Sequence, residues 1–229
     1  MRLSLPDQIG LPPVPSRRCL ALAAVALAAA GVVAFAIDLP LLRWMGPSAG
    51  RIPRDLIELV DLAEVFGHGA GIFLILLGVW WLDASRRKRL AGVVGLLLAT
   101  GFCVHVLKRI ACRVRPYALK DGAATVWDTF AGWSAWHERG WGVLFDRNLH
   151  SWPSGHAAFA FAFACGLAAL YPRGTGYFFL LAALASLQRV LAQAHFPSDV
   201  LFGAAVAMAV AAWWPRRVAC DQPDSQRSR

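Results

Sequence analysis

Three short stretches of this chain carry groups that could handle a phosphate ester. The middle one, Trp152-Pro153-Ser154-Gly155-His156, sets a serine, a glycine and an imidazole just before an apolar run. Glycine lets backbone N–H groups come close to an anion, and a helix N-terminus favours negative charge. Upstream lies Lys108-Arg109-Ile110-Ala111-Cys112-Arg113-Val114-Arg115-Pro116. Lys108 and Arg115 are two helical turns apart and can share a face if the helix extends past the membrane boundary. An arginine offers a planar fork to phosphate oxygens and a lysine adds a point charge. Downstream, Arg189 is a third cation, and His195 and Asp199 sit four apart across Pro197, a spacing that suits the first turn of a helix. There the carboxylate can accept from one imidazole nitrogen and leave the other free as a nucleophile. Three cations and backbone donors match the charge that builds on equatorial phosphoryl oxygens. One histidine can attack phosphorus while the other protonates the leaving oxygen.

The elements that must position these groups are apolar. Of 229 residues, 58% are hydrophobic and 16% charged, against about a quarter charged in a soluble domain. The apolar residues fall into stretches near the ~20 that a helix needs to cross a bilayer. The chain therefore reads as one integral membrane domain, and a phosphate bound at its edge as that of a lipid. The net charge of +9 is accounted for by Lys and Arg at the ends of apolar segments. With no basic helix or aromatic-plus-basic motif, nucleic acid is excluded as a partner. Cys19, Cys103, Cys112, Cys165 and Cys220 have neither metal-ligand nor redox spacing, and no disulfide framework follows.

The expected fold is all-α: a six-transmembrane-helix bundle over residues 19–214, with a long extracytoplasmic loop between helices 3 and 4. An irregular cytoplasmic tail (1–18) with Pro6, Pro12, Pro13 and Pro15 precedes it, and a basic cytoplasmic tail (215–229) follows. The spans are placed at 19–37, 66–82, 90–107, 156–171, 177–191 and 199–214. The first competes with a cleaved export signal, since Ser16-Arg17-Arg18 resembles a twin-arginine start and Ala34-Phe35-Ala36 a cleavage site. Its length favours a retained helix. Residues 38–64, with Pro40, Pro47 and Pro53, read as a connection ending in a surface helix. On it Asp55, Glu58, Asp61 and Glu64 form a solvated face, with Leu56, Leu59, Val60 and Ala63 between them. Glu64 and His68 have i,i+4 spacing, but one pair is weak ground for a metal, and no metal or cofactor is expected. His105 reads as a packed core histidine; Asp128, Glu138 and Asp146 read as solvated loop charges. The cluster Arg86-Arg87-Lys88-Arg89 marks the cytoplasmic side. That places the three patches on the periplasmic or outer face of a bacterial inner membrane.

The three patches resemble the signature of the type 2 phosphatidic acid phosphatase (PAP2) and haloperoxidase superfamily, in its membrane lipid-phosphate phosphatase branch. Its pattern, Lys-x6-Arg-Pro, Pro-Ser-Gly-His and Ser-Arg-x5-His-x3-Asp, is met by Lys108 to Pro116, Pro153 to His156, and Arg189 to His195 to Asp199, with Gln188 in place of the serine. The resemblance implies metal-independent hydrolysis of a lipid phosphate or diphosphate through a phosphohistidine at His195, oriented by Asp199, with His156 as acid. Lys108, Arg115, Ser154, Gly155 and Arg189 then hold the phosphate. Candidate substrates are phosphatidate, phosphatidylglycerophosphate, undecaprenyl diphosphate and a lipid A phosphate. A phosphotransferase using the same intermediate is the alternative. A transporter or scaffold fits less well, because the charges gather at one face rather than deep in the spans. Trp127, Trp133, Trp136, Trp141 and Trp152 in the long loop favour the headgroup layer, where a lipid could enter laterally.

Overall fold

The computed structural model describes residues 15–48, 53–119 and 123–215; most of the two tails lies outside these. Among the described residues the chain is helical, with no strand beyond one isolated bridge between Arg113 and Phe130. Eight α-helices follow in order: α1 Arg17–Ser48, α2 Arg54–Ala63, α3 Gly69–Leu82, α4 Arg87–Ala111, α5 Gly132–Arg139, α6 Gly155–Leu170, α7 Thr175–Leu191 and α8 Pro197–Trp213. Three stretches are long and apolar enough to cross a membrane: Arg17–Met45, Ala84–Ala111 and Pro172–Leu191. Ile57–Phe66 and Gly69–Leu82, bent by 63°, make a fourth if taken as one broken span. The remaining apolar helices, α6 and α8, have 16 and 17 residues.

Those two short helices form the centre. α6 packs against α4, α7 and α8, and α1 runs along α8. Alanines alternate with larger apolar residues in α6 (Ala157, Ala160, Phe163, Ala164, Leu167, Leu170), and all of these are buried. A helix that is apolar on every side belongs in the interior. Gly203 lets α8 approach the start of α6, because a Cβ there would lie 2.4 Å from the Ser154 carbonyl oxygen.

Two expectations about the elements need correction. The first helix does not stop at residue 37 but continues through Asp38 and Pro40 to Ser48. An interior proline costs roughly 3 kcal/mol, and here packing along α8 holds the helix together. α4 ends at Ala111, because Cys112 takes a left-handed conformation (φ 45°) and its N–H bonds back to the Lys108 carbonyl at 3.0 Å. Arg115 is therefore not on the same helical face as Lys108. It lies in extended backbone just before Pro116.

The stretch between α4 and α6 is folded rather than open. Ser151 N–H donates to the Arg113 carbonyl at 2.9 Å, Arg115 N–H to Asn148 at 2.8 Å and Val114 N–H to Thr129 at 2.8 Å. Trp136 Nε1 donates to the Arg109 carbonyl at 2.8 Å. Trp133, Trp141 and Phe145 remain about four-fifths exposed, at 84%, 79% and 82%. That exposure fits rings that meet a membrane interface.

Candidate active site

All eight residues singled out by type and spacing gather at one end of the bundle. Ser154 caps α6, its hydroxyl accepting from Ala157 N–H at 3.4 Å, so Gly155 and His156 fall in the first turn. Lys108 reaches over that terminus. Its Nζ donates to the His150 carbonyl at 2.5 Å, and its Cε would lie 3.8 Å from a Cβ on Gly155. The space above the helix start is thus bounded by an ammonium group and backbone N–H donors, the arrangement that binds anions.

His195 sits two residues before α8, in a tight connection. The Arg189 carbonyl accepts from both Ala194 N–H (3.0 Å) and His195 N–H (3.1 Å), which ties the cation of α7 to the imidazole. Asp199 lies in the first turn of α8 and accepts from Phe196 N–H at 2.9 Å and from the Ser151 hydroxyl. Its Oδ2 is 3.7 Å from His195 Nδ1, an ion-pair distance rather than a hydrogen bond. Such contacts often tighten only when substrate is bound. Nδ1 of His195 is buried and makes no hydrogen bond in this state, and Nε2 makes none among the described residues. Burial pushes the His195 imidazole down to about 4; the Lys108 and Arg115 cations add to this while Asp199 opposes it. A ring that stays neutral at ordinary pH keeps its lone pair.

His156 and Arg189 meet across the site, with Nε2 to Nη1 at 3.2 Å. Burial pushes the Arg115 guanidinium below its usual range, and the Arg189 cation pushes it further. Cations gathered this closely can receive an anion.

Sequence reasoning did not assign several groups that this end of the bundle uses. Arg113 is fully buried and bridges Asp199 Oδ1 (2.5 Å) and Asp38 Oδ2 (2.7 Å), so it is no surface charge. Asp38 is an ionisable residue inside a run that stays apolar on both sides, and that was a readable signal. Of the four acids on α2 and the turn after it, Glu64 is half-buried rather than part of a solvated face, while Asp61 is exposed but has a partner. Glu64 pairs with Arg189 at 2.8 Å and lies 3.8 Å from His156 Nε2. Asp61 accepts from Gln188 Nε2 at 3.0 Å, which gives the glutamine that replaces serine a partner. Both contacts form because α2 packs on α7.

His68 accepts from Ala70 N–H at 3.3 Å, and with Glu64 taken by Arg189 the two do not form a metal pair. No three His, Cys, Asp or Glu side chains converge as metal ligands among the described residues. His105 is exposed rather than packed, since it shares the outward face of α4 with Phe102 and Val106 while Val104 and Lys108 face in.

The sequence profile of the PAP2 superfamily matches residues 89–219, which include every one of the eight site residues. The chain is 29% identical over 223 residues to the lipid A 1-phosphatase of Rhizobium johnstonii, across 90% of this chain and 80% of that one. A lipid A 1-phosphatase of Rhizobium etli is 29% identical over 187 residues, covering 74% of this chain and 75% of its own. The crystal structure of Aquifex aeolicus LpxE shares the fold, with a TM-score of 0.55 at 22% identity, covering 77% of this chain and 93% of that one. The chain belongs to the PAP2 superfamily and is a membrane phosphatase.

Proposed function

We propose that this phosphatase hydrolyses the phosphate monoester of a lipid, with a lipid A phosphate as the leading substrate, through a phosphohistidine on His195 and without a metal. The observation that carries the reading is the placement of His195: Nδ1 faces Asp199 at 3.7 Å, the Lys108 and Arg115 cations lie near the ring, and its backbone N–H is tied to the Arg189 carbonyl. In the first step the Nε2 lone pair forms an N–P bond, and the P–O bond to the lipid breaks with its electron pair on oxygen. His156 gives that oxygen its proton. Water then attacks the phosphorus, His156 takes a proton from it, and the N–P bond breaks to release inorganic phosphate and free His195. The three cations hold the equatorial oxygens throughout.

The substrate class is supported by the two relatives named as lipid A 1-phosphatases, which align over most of their length. In this reading α1, the bent pair α2–α3, α4, α6, α7 and α8 make six crossings. The site then opens to the periplasmic face of a bacterial inner membrane. Support comes from the apolar character of α6 and α8 and from the basic cluster at 86–89, at the opposite end of α4 from Lys108. Phosphate release from purified protein in EDTA tests the reading, with lipid A, phosphatidate, phosphatidylglycerophosphate and undecaprenyl diphosphate compared at equal surface concentration. Activity on lipid A in EDTA, lost in His195→Ala, is the expected result. A strict need for a divalent metal would overturn the mechanism, and a preference for another lipid would overturn the substrate.

A further inference from the structure

Asp38 comes from α1, outside the residues 89–219 that match the superfamily profile, yet it is wholly buried against the catalytic carboxylate's partner. Arg113, equally buried, divides its fork. Nη2 goes to Asp38 Oδ2 at 2.7 Å, Nη1 to Asp199 Oδ1 at 2.5 Å, and Nε to Thr129 Oγ1 at 3.0 Å. Ser198 closes the ring. Its N–H donates to Asp38 Oδ1 at 3.1 Å, its hydroxyl donates to Asp38 Oδ2, and Arg113 Nη1 donates to its Oγ at 2.7 Å. The rings of Phe196 and Phe130 lie over the guanidinium at 4.1 and 4.7 Å and keep water out.

One guanidinium between two carboxylates leaves a single net negative charge in a dry setting. Such a charge is costly unless something uses it. Lys108 and Arg115 also lie near Asp199, and the neighbour whose own charge changes in the proposed reaction is His195, whose Nδ1 faces Asp199 Oδ2 at 3.7 Å. A phosphoryl group on Nε2 leaves Nδ1 protonated and the ring cationic.

We propose that Arg113 and Asp38 are positioning residues for phosphoryl transfer. Arg113 holds Oδ1 of Asp199 so that Oδ2 faces the imidazole. Asp38 offsets the Arg113 charge, so that Asp199 keeps its full negative charge toward the ring as it becomes cationic. Neither residue touches the substrate, so both act on the chemical step and not on binding. The proposal rests on His195 being the nucleophile.

The test uses the full-length protein in nanodiscs, steady-state kinetics on a lipid phosphate, and a radiolabelled phosphoenzyme trapped by alkaline quench. Asp38→Asn is expected to lower kcat about 10- to 100-fold, the size of loss that follows removal of a hydrogen-bonding partner behind a metal's ligands. KM should stay within roughly threefold, and phosphoenzyme formation in a single turnover should slow in parallel. Arg113→Lys, which keeps the charge but cannot fork, should show the same split. Ser198→Ala keeps both carboxylates and serves where Asp38→Asn does not fold; a several-fold loss in kcat alone is expected. Wild-type kcat in folded Asp38→Asn or in Ser198→Ala, with His195→Ala inactive, would overturn this proposal and leave the nucleophile standing. A matching rise in KM would also overturn it, because the defect would then lie in binding. Activity retained in His195→Ala would instead remove the reading on which the proposal rests.

Discussion

At the scale of single residues, the site is a matter of which nitrogen and which oxygen face each other. His195 turns Nδ1 toward Asp199 at 3.7 Å, which on the proposed reading leaves Nε2 for phosphorus. Asp199→Asn should therefore leave substrate binding near normal while kcat falls by roughly two to four orders of magnitude, as when the orienting carboxylate of a catalytic histidine is neutralised. Steady-state phosphate release reads this directly. The depressed His195 basicity has a sign that can be checked. Its imidazole titrates near 6.5 when unfolded and about 4 when folded. Stability from this group is present above 6.5 and is lost as pH falls through about 4. In 15N-histidine spectra, with His195→Ala for assignment, the ring should remain neutral at pH 5; a midpoint near 6.5 would contradict the burial. On the proposed reading Glu64 competes with phosphate for Arg189, at 2.8 Å from it and one-third exposed. Glu64→Gln should tighten inhibition by inorganic phosphate about fivefold, the equivalent of roughly 1 kcal/mol for a partly exposed pair. An unchanged inhibition constant would mean that Glu64 moves aside without cost.

At the scale of elements, apolar runs and helix-terminal residues were enough to read α3, α4, α6, α7 and α8 from the sequence. Pro153-Ser154-Gly155-His156 was equally clear as the start of α6, since a serine cap and a glycine act locally. What was not legible depends on contacts between distant segments. Pro40 reads as a breaker, and only the α8 surface beneath α1 keeps the helix going past it. Arg113 and Arg115 look alike in sequence, two basic residues two apart. The left-handed turn at Cys112 sends one into the core and leaves the other at the site. Glu64 looks like a solvated acid until α7 brings Arg189 against it, and Asp61 stays exposed while it accepts from Gln188. The closeness of α6 and α8 makes its own prediction. Gly203→Val would drive a side chain into the Ser154 carbonyl. It should destabilise the fold by about 1–3 kcal/mol, as overpacking does, and lower activity in the fraction that folds. Thermal unfolding beside phosphate release separates the two effects.

At the scale of the molecule, the charges and aromatic rings divide the chain by side. The exposed Trp133, Trp141 and Phe145 lie in the segment that also contains Ser151, a partner of Asp199. Replacing Trp133 and Trp141 by alanine should raise KM for lipid in vesicles several-fold and leave hydrolysis of a short-chain, water-soluble phosphate unchanged. Equal effects on both substrates would place those rings in the fold rather than at the interface. The two helices that begin at the site are also short, at 16 and 17 residues. At 1.5 Å per residue they extend about 24–26 Å, less than the ~30 Å of a typical hydrocarbon core. On the six-span reading the reacting phosphorus is met a few ångströms inside the membrane boundary, and the lipid sheet must thin locally around it. The enzyme then becomes a gauge of its solvent: turnover in reconstituted membranes should rise as the acyl chains of the host lipid shorten and fall as they lengthen, with no change in the protein at all.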